Sequence, residues 1–215
     1  MFIAGGAKGG ELTGGVEGLL KDQDTFSSDT LTKLEDKGLK WYVGEKPITS
    51  VDDMKKWAGG QPTGWPVGSI YEDVGGVYNK KAKSVCVSIL GEFGSQSTIG
   101  HEAGHSIWHE ILTSSQQQDF VRIQGDLYDD LGTYFQQSGR YSYTGANEMF
   151  AECVASMVRT QETKVASYTI HMGPSDQTNH EMTMAVGLSL EMKVKVKGKN
   201  LRLCIMGPLL IEHRR

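Results

Sequence analysis

The chain has 215 residues, enough for one large domain or two small ones. An apolar share of 38% and 27 glycines imply a modest core with much irregular connection around it. A formal net charge of −4, with no basic stretch interleaved with aromatics, gives nucleic acid nothing to bind and excludes that class as a leading function.

In chain order, the first ten residues carry Gly5-Gly6 and Gly9-Gly10 and read as a mobile lead-in. They lack the basic and apolar regions of a signal peptide, and no run anywhere reaches the ~18–20 apolar residues of a membrane span. The chain is therefore expected to be soluble. Spaced leucines and charges over residues 16–36 predict one or two short surface helices. Leu39-Lys40-Trp41-Tyr42-Val43 predicts a short strand, and residues 51–57 a helix capped by Ser50 or Asp52. Residues 60–76 are dense in turn formers. Lys83 to Ile89 alternates polar with apolar, as a half-buried strand does.

After a loop at 91–94, Ser95 or Ser97 can cap a helix running to about Leu112. A second helix is expected from about Ser115 to Phe135, with Phe120, Ile123, Leu127, Leu131 and Phe135 at helical spacing. A Gly-, Ser- and Tyr-rich loop at 138–145 leads to a third helix from Asn147 to about Met157. Residues 160–182 read as polar and irregular. Beyond them Met192, Val194 and Val196 alternate, then Leu201, Leu203 and Ile205, with Gly198-Lys199-Asn200 between: a hairpin. The expected architecture is α+β. Its divisions are a lead-in over 1–37, a main domain over 38–160, and a polar segment with a hairpin over 161–215.

The chemistry centres on His101-Glu102-Ala103-Gly104-His105. On a helix, positions four apart share one face, so both imidazoles reach one ion. Glu102 is then placed to hold a water beside that ion. A zinc hydrolase needs a third protein ligand and an open position. His109 fails as that ligand, because three histidines over two turns span ~12 Å of rise. A histidine six residues past His105 would suit another group of zinc peptidases, but that position is Ile111.

The third helix offers Glu148 and Glu152 on one face beside Met149, Phe150 and Val154. Two carboxylates against apolar neighbours are costly unless something positive meets them. Glu148 is read as the third ligand, and Glu152 as the acceptor that orients a ligating histidine, His101. The plainer alternative is an exposed acidic helix face. Cys86, Cys153 and Cys204 form no Cys-x-x-Cys pair, so no thiolate zinc site is encoded.

Over about residues 60–160 these features resemble the catalytic domain of the anthrax lethal factor family, which includes the secreted Pro-Pro endopeptidases. Relatives carry a Glu-aromatic-aromatic-Ala-Glu segment, matched here by Glu148-Met149-Phe150-Ala151-Glu152 apart from Met149. The long gap from His105 to Glu148 is also similar to that family. Gly64-Trp65-Pro66 and Tyr78-Asn79 add a weaker likeness. The resemblance implies a zincin-like (gluzincin) fold, one zinc ion per chain and a secreted protein. It also implies an endopeptidase in which Glu102 is the general base. The family's tyrosine seven residues before the ligand glutamate falls on Tyr141, which would donate to the oxyanion, with Tyr143 as fallback. The substrate would be an extended peptide paired along the strand from Val85 to Ile89. Two other readings stay open: a catalytically silent lethal factor-like binding module, and a zinc hydrolase of a non-peptide amide.

Overall fold

A computed structural model describes residues 26–158 except 27, 64, 92–96, 132–133 and 137, together with the strands at 2–5, 165–170, 180–186, 190–196 and 199–204. The chain divides into two compact units, residues 1–111 with 151–159 and residues 112–150 with 160–215.

The first unit is built on a sheet of order β1-β2-β4-β3. β1 (Phe2–Gly5) pairs parallel with β2 (Lys40–Gly44), and β2 pairs parallel with β4 (Ser84–Ser88) in the register Trp41↔Val85 and Val43↔Val87. β3 (Gly76–Asn79) closes the far side antiparallel to β4 and is an edge among the described residues. Part of the expected lead-in is thus a strand: Phe2 and Ile3 supply a β-prone pair that adds to β2. Residues 6–10 and 16–25, and the candidate cap Ser95, lie outside the described residues.

β4 is buried at every position, not at alternate ones. It is a central strand, and Ser84, Cys86 and Ser88 are small enough to pack beneath its neighbours. Cys86 joins Ile48, Met54 and Val74 in one buried cluster. Since β2 and β3 occupy both sides of β4, that strand has no edge left for a peptide, contrary to the sequence expectation.

The expected helix at 51–57 is instead two 3-10 turns, Ile48–Ser50 and Lys55–Trp57. Val51 between them is extended (φ −78°, ψ 135°). That break lets Ile48 and Met54 enter the same cluster, while Asp53 binds Lys40 (2.6 Å) and Tyr42 (3.4 Å). Helix α1 (Ser28–Asp36) buries Leu34 and ends at Gly38, whose φ of +84° allows Leu39 N–H to return to the Leu34 carbonyl.

Helix α2 (Thr98–Glu110) starts at Ser97, whose hydroxyl accepts from the Gly100 amide at 3.0 Å. It packs on β3 and β4 and buries Ile99, Ala103, Ile107 and Trp108.

In the second unit, α3 (Ser114–Leu127) opens with a Thr113/Gln116 capping box. It stops well short of Phe135, giving way to a 3-10 turn at Tyr128–Asp130. The side chain of Gln136 returns to the carbonyls of Tyr128 and Leu131, satisfying groups a longer helix would have paired internally. Leu127, Leu131 and Phe135 are nonetheless buried as their spacing implied. Helix α4 (Tyr143–Val158) begins earlier than expected, with the Ser142 hydroxyl accepting from the Gly145 amide. Its first half belongs to the second unit and its second half to the first.

The tail forms an antiparallel meander of β5 (Val165–Ile170), β6 (His180–Val186), β7 (Leu190–Val196) and β8 (Lys199–Cys204). The predicted hairpin is β7–β8, closed by the pair Val196↔Lys199. Residues 160–182, expected to be irregular, contain β5 and the start of β6. The run Val165-Ala166-Ser167-Tyr168-Thr169-Ile170 holds β-branched and aromatic residues that a polar flank obscures. No helix among the described residues is long and apolar enough to cross a membrane.

Candidate metal centre

His101 and His105 lie one turn apart on α2, the first buried and the second half-buried. Their Nε2 atoms face each other at 3.1 Å, with the rings edge-on at 84°. Two nitrogens bound at ~2.0–2.1 Å to one tetrahedral ion would stand about 3.3 Å apart, so the pair already has the spacing of co-ligands. On the far side of the first ring, His101 Nδ1 lies 3.0 Å from Oε2 of Glu152. A carboxylate there fixes the tautomer with hydrogen on Nδ1 and leaves the Nε2 lone pair for a cation. The structure thus brings together Glu152 and His101, the pair read from sequence.

Glu148 sits one turn before Glu152 on α4. One ligand atom from each of His101, His105 and Glu148 falls within 4.8 Å of the other two. Two neutral imidazoles and one carboxylate are the donor set of a catalytic zinc site, with three protein atoms and a fourth position open. The residues present fit that metal.

The close approach of α2 and the second half of α4 depends on small residues. A Cβ at Gly104 would stand 2.6 Å from Cα of Ala151, and one at Gly100 would stand 2.9 Å from Cα of Ala155. Backbone touches backbone at both, and this brings Glu152 within reach of His101. Gly76 on β3 plays a similar part for Glu102. A Cβ there would meet the Glu102 side chain at 3.0 Å from Cγ and 3.2 Å from Oε1. Glu102, 7% exposed, thus lies directly against the edge strand.

His109 is outside the ligand group, as expected from helix geometry. It stacks on Tyr78 with centroids 5.9 Å apart. Burial, with Lys80 and His105 nearby, lowers its pKa to about 4, so the ring is neutral. The adjacent Glu110 accepts from Tyr78 (3.0 Å) and pairs with Lys83 (2.9 Å). Burial opposes ionisation of Glu110, but hydrogen bonds from Lys83 and Tyr78 outweigh it and hold the carboxyl below its ordinary range. Burial pushes the thiols of Cys86 and Cys153 up to about 12, so neither offers a thiolate.

The two candidate tyrosines lie at the start of α4 and just before it. Tyr141 has a left-handed backbone (φ 57°) and is 52% exposed, and its hydroxyl donates to Asp126 on α3 at 3.2 Å. Tyr143 is the first residue of α4 and also exposed. A hydroxyl that reaches the ligand set belongs to Tyr134, which donates to Oε2 of Glu148 at 2.5 Å. Sequence gave no sign of it: Tyr134 falls inside the stretch read as the end of a helix, and fourteen residues before Glu148 is no recurrent spacing.

Among known proteins, the family model described as anthrax toxin lethal factor, N- and C-terminal domain, matches residues 14–167. A solved structure, the Pro-Pro endopeptidase PPEP-2 from Paenibacillus alvei, superposes with a TM-score of 0.55 at 20% identity, covering 74% of this chain and 88% of that one. The fold is accordingly zincin-like, a mixed arrangement of helices and a small sheet. No curated protein matches the chain.

Proposed function

The chain belongs to the anthrax toxin lethal factor family, and from that premise we propose that it is a zinc-dependent endopeptidase. The observation that carries the reading is the alignment of His101 by Glu152 at 3.0 Å together with the convergence of His101, His105 and Glu148. Those three residues would hold the zinc. When bound, the ion would polarise a scissile carbonyl and lower the pKa of a water toward neutrality.

Glu102 takes the proton of the attacking water and passes it to the leaving amine. Its position against Gly76 supports this role, since a peptide running along the edge of β3 would bring its backbone past the Glu102 carboxylate. Main-chain pairing along that edge fits an extended peptide of many sequences. Tyr141 serves the oxyanion, as the family resemblance implies, only by leaving Asp126. In this reading the catalytic domain spans residues 38–160, and the protein acts outside the cell, as the sequence resemblance implies.

The test is Glu102→Gln assayed on a peptide library that includes paired prolines around the scissile bond. Cleavage should fall by ~10²–10⁴-fold, with the zinc content unchanged. A variant that cleaves like the parent removes Glu102 as the base. Zinc binding without cleavage by the parent chain favours the silent binding module.

A further inference from the structure

Tyr134 belongs to no motif, yet its hydroxyl reaches the ligand set. Its hydroxyl lies 2.5 Å from Oε2 of Glu148, the distance of a charge-assisted bond from a phenol to a carboxylate. A carboxylate offers two oxygens. A phenol held on Oε2 restrains the carboxylate and disfavours that oxygen as a second ligand to a cation.

The loop that delivers Tyr134 is tied down from α3. Gln124 is fully buried. Its amide donates to the carbonyls of Phe135 (3.0 Å) and Gly139 (3.2 Å), and its carbonyl accepts from the Ser142 amide (3.0 Å). One buried side chain thereby joins the residue after Tyr134 to the residue before α4, the helix that carries Glu148. Phe135 is buried and packs edge-on to the Tyr134 ring, with centroids 5.2 Å apart. Tyr134 itself is 48% exposed.

We propose that Tyr134 is a positioning residue that holds Glu148 as a one-oxygen ligand, with Gln124 fixing the loop that presents it. The inference rests on Glu148 being a metal ligand. A glutamate so restrained leaves the open position free for water, whereas one released to offer both oxygens would crowd it.

Cobalt(II) substitution tests this without relying on activity, because its visible spectrum reports coordination number. The parent chain should bind one cobalt with the intense absorption of a four-coordinate site. Tyr134→Phe should keep the parent's metal-free melting temperature, give the weaker spectrum of a five-coordinate site, and bind zinc ~10–100-fold less tightly in chelator competition. If the parent binds one cobalt and Tyr134→Phe matches it in spectrum and zinc affinity, this inference falls while the metal centre stands. If the parent binds neither metal, both fall together.

Discussion

The contact between α2 and α4 makes a sharp prediction at Gly104. A Cβ placed there would be 2.6 Å from Cα of Ala151 and 3.2 Å from both its Cβ and its carbonyl oxygen. Ordinary carbon contacts lie at about 3.5–4.0 Å, so Gly104→Ala must part the helices by about 1 Å at a point where only backbone can move. Three effects compete. Alanine favours a helix interior over glycine by up to ~1 kcal/mol. Overpacking costs ~1–3 kcal/mol. The His101–Glu152 bond, 3.0 Å now, would stretch beyond hydrogen-bond range, forfeiting a charge-assisted contact of ~1.5–3 kcal/mol.

The losses exceed the gain, leaving a net destabilisation of about 2 kcal/mol. For a chain of this size that lowers the melting temperature by ~4–8 °C. Because His101 also loses its orienting acceptor, zinc affinity should fall ~10–100-fold. Thermal unfolding of the metal-free protein and chelator competition measure the two. A variant as stable as the parent, with the parent's zinc affinity, would refute the reasoning, because helix propensity would then have outweighed a clash that the backbone contact makes unavoidable.

Further outcomes follow from the same geometry. Glu152→Ala should weaken zinc binding ~10–100-fold, and Glu152→Gln, which keeps an acceptor oxygen for His101 Nδ1, should recover most of it; equal affinities in both variants would count against the orienting role. The pKa of His109 is lowered in the fold to about 4 from an ordinary 6.5, so the unfolded chain binds more protons between those values. Its contribution is fully present above pH 6.5 and is lost as pH falls toward 4. Urea titrations at pH 7 and pH 5 should show the parent losing about 1 kcal/mol more than His109→Gln, after allowance for solvent screening of a half-buried ring. Equal losses would place His109 in solvent.

The site was legible where the chemistry is written in local spacing. His101, Glu102 and His105 need only the helix period, and Glu148 with Glu152 needs it once more on α4. Ser97 as a cap and the strands at Trp41 and Val85 follow from equally short patterns. What sequence missed depends on partners far along the chain. The end of α3 is set by Gln124 and Gln136, whose amides pair with loop backbone rather than with water; a polar residue at helical spacing gives no hint of that. β4 looked half-buried because Ser84, Cys86 and Ser88 alternate with valines, and only elements elsewhere in the chain cover it: α2 packs on the strand, and Cys86 is buried with Ile48, Met54 and Val74. The strand's place between β2 and β3 takes up both of its edges, which is why the proposed peptide edge is β3. Tyr134 went unnoticed because its contact with Glu148 depends on the path of a loop, which no local spacing encodes.

The most direct test of the account is the metal content of the purified chain beside Glu148→Ala, by mass spectrometry after reconstitution with zinc and desalting. About one zinc per parent chain, lost or sharply reduced in the variant, is the predicted result. A parent chain that retains no zinc, or a variant that retains as much as the parent, would contradict the assignment of His101, His105 and Glu148 as the metal centre.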